Sequence, residues 1–332
     1  MIRIAVIGLG WWGKQIVGCL AGSPRFSVTA AYDANPRPVT DFAAEWNLPL
    51  AENYQAVLER SDVDAVAIVT PHAQHEQQVL AAVEAGKQVF CEKPLALRAA
   101  SAERMLDACA KANLVLGIGH ERRYEPALEQ MTDSSSAGIL GRLQHIDANV
   151  SHDIFRALDP ANWRLSKENA PAGAMTALGI HLTDMFVALA GKPVRVIART
   201  ARRVFGPPRR RLRRARCGFR QRGVGARDLL VGDAVLWALH SLWRQGLGRG
   251  AGRGQRRQGP AVDAVQADSS GTRSLCSFEP TNTVRMNFEA WAEAVEGRAA
   301  YRFTPAQLLA NVQVLEAVIR SSENGGAPVA IA

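Results

Sequence analysis

The stretch from Met1 to Asp33 constrains the fold of this chain more than any other. Ile2-Arg3-Ile4-Ala5-Val6-Ile7 is an apolar run of strand length that ends directly in Gly8-Leu9-Gly10-Trp11-Trp12-Gly13, a GxGxxG sequence. Lys14 to Ala21 then carries apolar residues at helical spacing. The glycines therefore fall at a strand-to-helix turn, where free amide groups and the helix dipole favour a pyrophosphate. Gly8 permits the tight turn, Gly10 lets the backbone approach phosphate, and Gly13 lets the helix pack closely on the strand. A second apolar run, Phe26 to Tyr32, ends in Asp33. A carboxylate there accepts hydrogen bonds from the adenosine ribose hydroxyls and repels a 2'-phosphate, which favours NAD, while Arg37 is close enough to leave NADP open.

Strand and helix patterns alternate as far as Gly119. Asp64 to Val69 is a buried-strand pattern closed by Thr70-Pro71-His72. Gln88 to Cys91 is another, and it delivers Glu92-Lys93-Pro94 to the edge of the sheet. This rhythm predicts a Rossmann domain over residues 1–122: a doubly wound parallel sheet with Gly8, Asp33, Thr70, Pro71 and Lys93 at the carboxyl ends of its strands, where ligands bind. From His120 the rhythm changes. A strand is expected over Leu143 to His152 and a helix over Gly173 to Ala190. Two more helices are expected over Val284 to Val295 and Thr304 to Ser321, so residues 123–332 read as an α+β domain.

The net charge of +9 invites a nucleic-acid partner, but seventeen arginines lie between Arg199 and Arg257 against only Asp228 and Asp233. The rest of the chain is net negative, so neither a nucleic-acid nor a membrane partner is expected. No apolar run has the length of a membrane span, and a cytoplasmic location is the default. The cysteines show no CxxC or CxH pairing, and His72 and His75 have HxxH spacing without a further ligand cluster, so no metal site is expected.

Two residues stand out for chemistry. Lys93 follows a buried strand and precedes a proline, so its amine projects from the sheet edge toward the cleft, where it can stabilise developing alkoxide charge. His181 shares a helix with Asp184, and an imidazole there can act as a general base. A lysine beside a glutamate is also an ordinary surface pattern, and a histidine in an apolar helix an ordinary core residue. The residues alone leave both readings open.

In order along the chain stand Gly8-Leu9-Gly10-Trp11-Trp12-Gly13, Thr70-Pro71 with His75, Gly86-Lys87, Glu92-Lys93-Pro94, Arg123-Tyr124-Glu125-Pro126, Gly138 to Gly141, Trp163-Arg164, and Gly179-Ile180-His181 with Asp184. The series resembles the glucose-fructose oxidoreductase, inositol dehydrogenase and rhizopine-catabolism (Gfo/Idh/MocA) family of nicotinamide-dependent oxidoreductases. The resemblance implies NAD(P)-dependent hydride transfer at a carbinol carbon of a sugar, polyol or related hydroxy compound, with Lys93 and His181 catalytic. It also implies dinucleotide contacts from Trp12, Thr70, Pro71, His75, Glu92 and Lys93, and a substrate flanked by Tyr124, Trp163, Arg164, His181 and Asp184. The second domain is expected to carry a large, mostly antiparallel open sheet through which homo-oligomers form. A cofactor-binding sensor of the same fold, without turnover, is the alternative.

The sequence departs from the family pattern twice. Four residues before His181, where the family has an aspartate, stands Ala177, and His120 is a candidate to replace it. Residues 204–271 carry Arg/Gly-rich runs such as Arg209 to Arg214 where sheet strands are due, and such runs are expected not to form them. We read this segment as translated out of frame, with the frame restored before Phe278-Glu279-Pro280. A basic insert that binds anions or nucleic acid and a solvated basic face are the rival readings. With that sheet damaged, oligomerisation is not expected for this chain.

Overall fold

The computed structural model describes residues 1–141, 143–148, 150, 158–159, 161–200, 212–219, 238–239, 262–267 and 273–331. Strands β1 (Ile2–Ile7), β2 (Phe26–Tyr32), β3 (Ala65–Ile68), β4 (Gln88–Cys91) and β5 (Leu116–Ile118) form one sheet in the order β2-β1-β3-β4-β5. The β1 pairings with β2 and β3 are parallel, as are those of β4 with β3 and β5. Helices cover both faces, which is why β3 is buried at every position and reads as a continuous apolar run. The helices between these strands are α1 (Trp11–Leu20), α2 (Thr40–Glu45), α3 (Tyr54–Leu58), α4 (His75–Glu84) and α5 (Ala99–Lys111).

The turn from β1 into α1 explains two of the glycines. Gly8 has φ +98°, a left-handed conformation that side chains disfavour. A Cβ on Gly13 would collide with the Gly8 carbonyl oxygen, so the first turn of α1 lies directly on the end of β1. Gly13→Ala is therefore expected to cost about 1–3 kcal/mol by overpacking and to weaken dinucleotide binding by displacing the turn. A denaturant midpoint and a cofactor titration read the two losses separately.

Past β5 come α6 (Pro126–Ser136), a π-helical turn at Met175–Gly179, and α7 (Ile180–Ala190). The helix expected over Gly173 to Ala190 is thus wider in its first part. The strand expected over 143–152 does not form at 143–148, and of the rest only residue 150 is described, outside any strand.

Two antiparallel sheets follow. One has the order β11-β6-β7, with β6 (Pro193–Thr200), β7 (Leu212–Phe219) and β11 (Val329–Ala330); the other is β10-β9-β8, with β8 (Ala238–Leu239), β9 (Val262–Ala267) and β10 (Arg273–Phe278). The expectation that the segment 204–271 supplies no strands is corrected at β7, and also at β8 and β9, which lie within it. The β7 backbone pairs along β6, with Ala215 opposite Ala198 and Cys217 opposite Val196. From residue 213 on, Ala215, Cys217 and Phe219 interrupt the arginines at every second position, which is the period a sheet face requires. Most of the out-of-frame reading falls on 220–237 and 240–261, outside the described residues.

Helices α8 (Thr283–Val295) and α9 (Pro305–Glu323) return to the first sheet. Phe288 stacks on Phe90 of β4 with ring centroids 3.7 Å apart, and the Trp291 indole N–H donates to the Val115 carbonyl at 2.9 Å. Val284, Phe288, Trp291 and Ala292 share one core with Ile4 and Val6 of β1, while Leu308 and Val312 of α9 share the core on the other side with Ile7 and Ile68. Thr304 and Gln307 close a capping box at the start of α9.

Candidate active site

A cleft of about 650 Å³ opens at the carboxyl ends of β1, β2 and β3, lined among others by Gly8, Gly10, Asp33, Thr70, Pro71 and Trp163. A Cβ on Gly10 would meet nothing within 4 Å, so the backbone there faces open space. The Asp33 carboxylate accepts the Leu9 N–H at 2.8 Å and the Asn35 N–H at 2.9 Å. It braces the glycine turn and keeps lone pairs for a ligand. Arg37 is exposed and is not among the lining residues. An open backbone cradle at the start of α1 with a carboxylate at the end of β2 fits a dinucleotide, pyrophosphate on the turn and ribose at Asp33.

Trp12 links this cleft to Glu92: its indole N–H donates to Glu92 Oε1 at 2.6 Å, and the Lys93 N–H donates to Oε2 at 3.1 Å. The Glu92 carboxyl is buried, and burial first, then the nearby Glu121, pushes its pKa up to about 7; the cationic Lys93 and the two N–H donors oppose that rise. Burial lowers the pKa of Lys93, against the pull of Glu92 and Glu121. The Lys93 ammonium donates to the Ala177 carbonyl at 2.7 Å, inside the π-helical turn. The main chain thus supplies an acceptor where the sequence lacks a carboxylate. His181 lies one helical turn further on, 8 % exposed, with its ring perpendicular to that of His120 at a centroid distance of 5.4 Å. The Ala177 carbonyl that receives the Lys93 ammonium stands one helical turn before His181, and neither Lys93 nor His181 is among the residues lining the dinucleotide cleft.

The other expected site residues divide. Trp163 and Arg164, expected beside a substrate, are among the residues that line the cleft. Trp163 meets His72 edge-on at 4.8 Å, Arg164 lies 4.2 Å over the Trp163 ring, and His72 Nδ1 is 2.5 Å from the Asn169 carbonyl, so this segment is pinned across the cleft. His75, expected at the cofactor, is fully buried and does not line the cleft. Its Nδ1 faces the Pro94 carbonyl at 2.9 Å and its Nε2 the Thr70 carbonyl at 3.1 Å. It ties the loop carrying Lys93 to the end of β3.

Tyr124 and Asp184, expected at the substrate, are each 2 % exposed, and the Tyr124 hydroxyl is buried with no hydrogen-bond partner among the described residues. Arg123 holds the Asp184 carboxylate with Nε at 2.7 Å and Nη2 at 2.6 Å, and also donates to Gln307 at 2.9 Å. Arg302 covers the Tyr124 ring at 3.7 Å. These residues build the joint between the β5 end, α7 and α9, where the buried Asp184 carboxylate faces the Arg123 guanidinium. Sequence reasoning missed Asn311, Gln307 and Glu121. Asn311 carried a signal, as a polar residue within the apolar stripe of α9. Among the described residues no group of three or more His, Cys, Asp or Glu side chains could hold a metal ion, and no helix is long and apolar enough to cross a membrane.

Residues 2–120 match the family model described as an oxidoreductase family with an NAD-binding Rossmann fold, and residues 128–223 match the model of the GFO/IDH/MocA C-terminal domain. The chain belongs to the Gfo/Idh/MocA oxidoreductase family. Its N-terminal part is the family's NAD-binding domain, and the second match runs through β7, which agrees with the strand found there. One relative, the D-xylose 1-dehydrogenase [NADP(+)] of Haloarcula marismortui, is 31% identical over 186 residues, covering 54% of this chain and 52% of that protein. The levoglucosan dehydrogenase of Pseudarthrobacter phenanthrenivorans is 28% identical over 205 residues, covering 58% and 52%. The match thus spans about half the length of these curated relatives. In fold, the chain is similar to the aldose-aldose oxidoreductase of Caulobacter crescentus, solved in complex with glycerol, with a TM-score of 0.73 at 20% identity over 99% of both chains.

Proposed function

We propose that the protein is an NAD(P)-dependent oxidoreductase that moves a hydride between nicotinamide and a carbinol carbon of a sugar, polyol or related hydroxy compound. The observation that carries this reading is the half-buried Lys93 ammonium, bonded to the Ala177 carbonyl one helical turn from His181. The names of the relatives, which act on xylose and levoglucosan, support the substrate class.

When bound, the nicotinamide supplies the two-electron hydride acceptor. The residues of the chain supply the rest. Lys93 turns its ammonium from the Ala177 carbonyl to the substrate oxygen and stabilises the negative charge that grows there as the carbinol C–H bond breaks. His181 accepts the hydroxyl proton, so that the alcohol becomes a carbonyl, having lost one hydride and one proton. Trp12 and Glu92 set the position of Lys93 relative to the glycine turn. Trp163 and Arg164 close the cleft over the dinucleotide.

Asp33 sets the choice of cofactor. A 2'-phosphate would meet a carboxylate already bonded to the Leu9 and Asn35 N–H groups, and Arg37 is not among the lining residues. NAD⁺ is expected to bind at least about tenfold more tightly than NADP⁺, the equivalent of about 1.4 kcal/mol; equal affinities in a calorimetric titration would contradict this assignment. The activity itself is tested by following nicotinamide reduction with a panel of sugars and polyols. The sensor reading has one observation in its favour, that the Lys93 ammonium already has an acceptor in Ala177. Tight NAD⁺ binding without turnover on any member of the panel would select it.

A further inference from the structure

Asn311 lies in the apolar stripe of α9, 2 % exposed, and its surroundings fix the orientation of its amide. The Ile180 carbonyl, 3.2 Å from Nδ2, can only accept, and the Thr183 hydroxyl donates to Oδ1 at 2.6 Å. The opposite orientation would set two carbonyl oxygens against each other. Nδ2 is therefore a donor, and it faces His120 Nε2 at 3.1 Å. That nitrogen must present a lone pair, which leaves His120 neutral with its proton on Nδ1. Burial acts in the same direction, lowering the proton affinity of the ring. Nδ1 is itself buried and has no hydrogen-bond partner among the described residues. The charged groups around His120 are Asp184, Arg123, Lys93 and Glu121, of which Arg123 and Asp184 neutralise each other.

We infer that His120 is a positioning residue of the site: Asn311 fixes it as the neutral Nδ1–H imidazole, and in that form it buttresses the His181 ring without placing a second positive charge against it. The three anchors come from the end of β5, from α7 and from α9, so the lock forms only when both parts of the chain are docked. A neutral neighbour matters because His181 has to take up a proton. An imidazolium 5.4 Å away, centroid to centroid, would resist that uptake. The inference rests on His181 as the proton acceptor of the proposed reaction.

Multiple-bond ¹H–¹⁵N spectra of the full-length protein labelled at histidine distinguish the two tautomers and the imidazolium. His120 is expected as the Nδ1–H tautomer at neutral pH, with no second proton taken up across the range in which an exposed histidine titrates. In N311D the carboxylate accepts where the amide donated. His120 is then expected to become doubly protonated, the His181 titration midpoint to move to lower pH, and the acid limb of the kcat profile to move with it. An Nε2–H tautomer or an imidazolium at His120 in the unmodified protein would overturn the inference, as would an N311D protein whose His181 titrates unchanged. Should N311D not fold, the tautomer in the unmodified protein decides alone. If the spectra behave as expected but no polyol is turned over, the catalytic reading fails and the lock stands.

Discussion

Lys93→Met is expected to lower kcat by about a thousandfold, the loss that follows removal of one donor to a developing oxyanion, while NAD⁺ affinity stays within a few fold. The two effects separate because Lys93 does not line the dinucleotide cleft. The variant should fold. Methionine has nearly the length of lysine, and the ammonium it replaces is half-buried, donating to the Ala177 carbonyl. One electrostatic consequence accompanies the loss. Glu92 is already pushed up to about 7 by burial and by Glu121, and Lys93 is the cation that restrains it. Without Lys93 the Glu92 carboxyl holds its proton to higher pH. Its pKa lies above the unfolded value, so its contribution to stability is complete below the unfolded pKa and is lost as pH rises through the folded one. The loss therefore begins at the same unfolded pKa in the variant but is larger and continues to higher pH. Steady-state kinetics beside a cofactor titration decide the matter: a kcat within tenfold of the unmodified enzyme removes Lys93 from the chemistry.

Asp184→Asn is expected to destabilise the protein by about 3–5 kcal/mol, because it leaves a guanidinium buried without its counter-charge. The side chains of Arg123 and Asp184 are 9% and 2% exposed, so solvent does little to soften the loss. Arg123 also reaches Gln307 and lies over the Phe303 ring at 4.4 Å, so it is anchored on both sides when the carboxylate goes. The double variant R123M/D184L should recover much of the stability, since an apolar pair of similar volume carries no desolvation cost. Denaturant midpoints read at constant slope test both statements. If D184N unfolds at the same midpoint as the unmodified protein, the joint between β5, α7 and α9 is held by something other than this pair.

What was legible in the sequence was local. The turn from Gly8 to Gly13, the acid at Asp33 and the strand leading into Lys93 are each set by neighbours a few residues away, and the structure has them at the ends of β1, β2 and β4. The burial of Asp184 and Tyr124 was not legible because their partners, Arg123 and Arg302, are remote in sequence, and no periodicity announces a buried ion pair. The surroundings of His75 were hidden for a similar reason. The family resemblance implies a cofactor contact, and in the structure both ring nitrogens meet carbonyls, one of them from the loop nineteen residues on. The strand at Leu212–Phe219 was hidden by counting arginines instead of reading every second residue. The π-helical turn at Met175–Gly179 had no signal at all in composition or period.

The return of α8 to the first sheet has a consequence for synthesis. Phe90 emerges from the ribosome early, but the ring that stacks on it, Phe288, and the indole of Trp291 are among the last parts of the chain to be made. Until they arrive, one side of the nucleotide-binding half stays greasy and open to chaperones. A ribosome that stalls or stops anywhere before Thr283 therefore leaves that half unsealed, and its nascent product is a substrate for quality control.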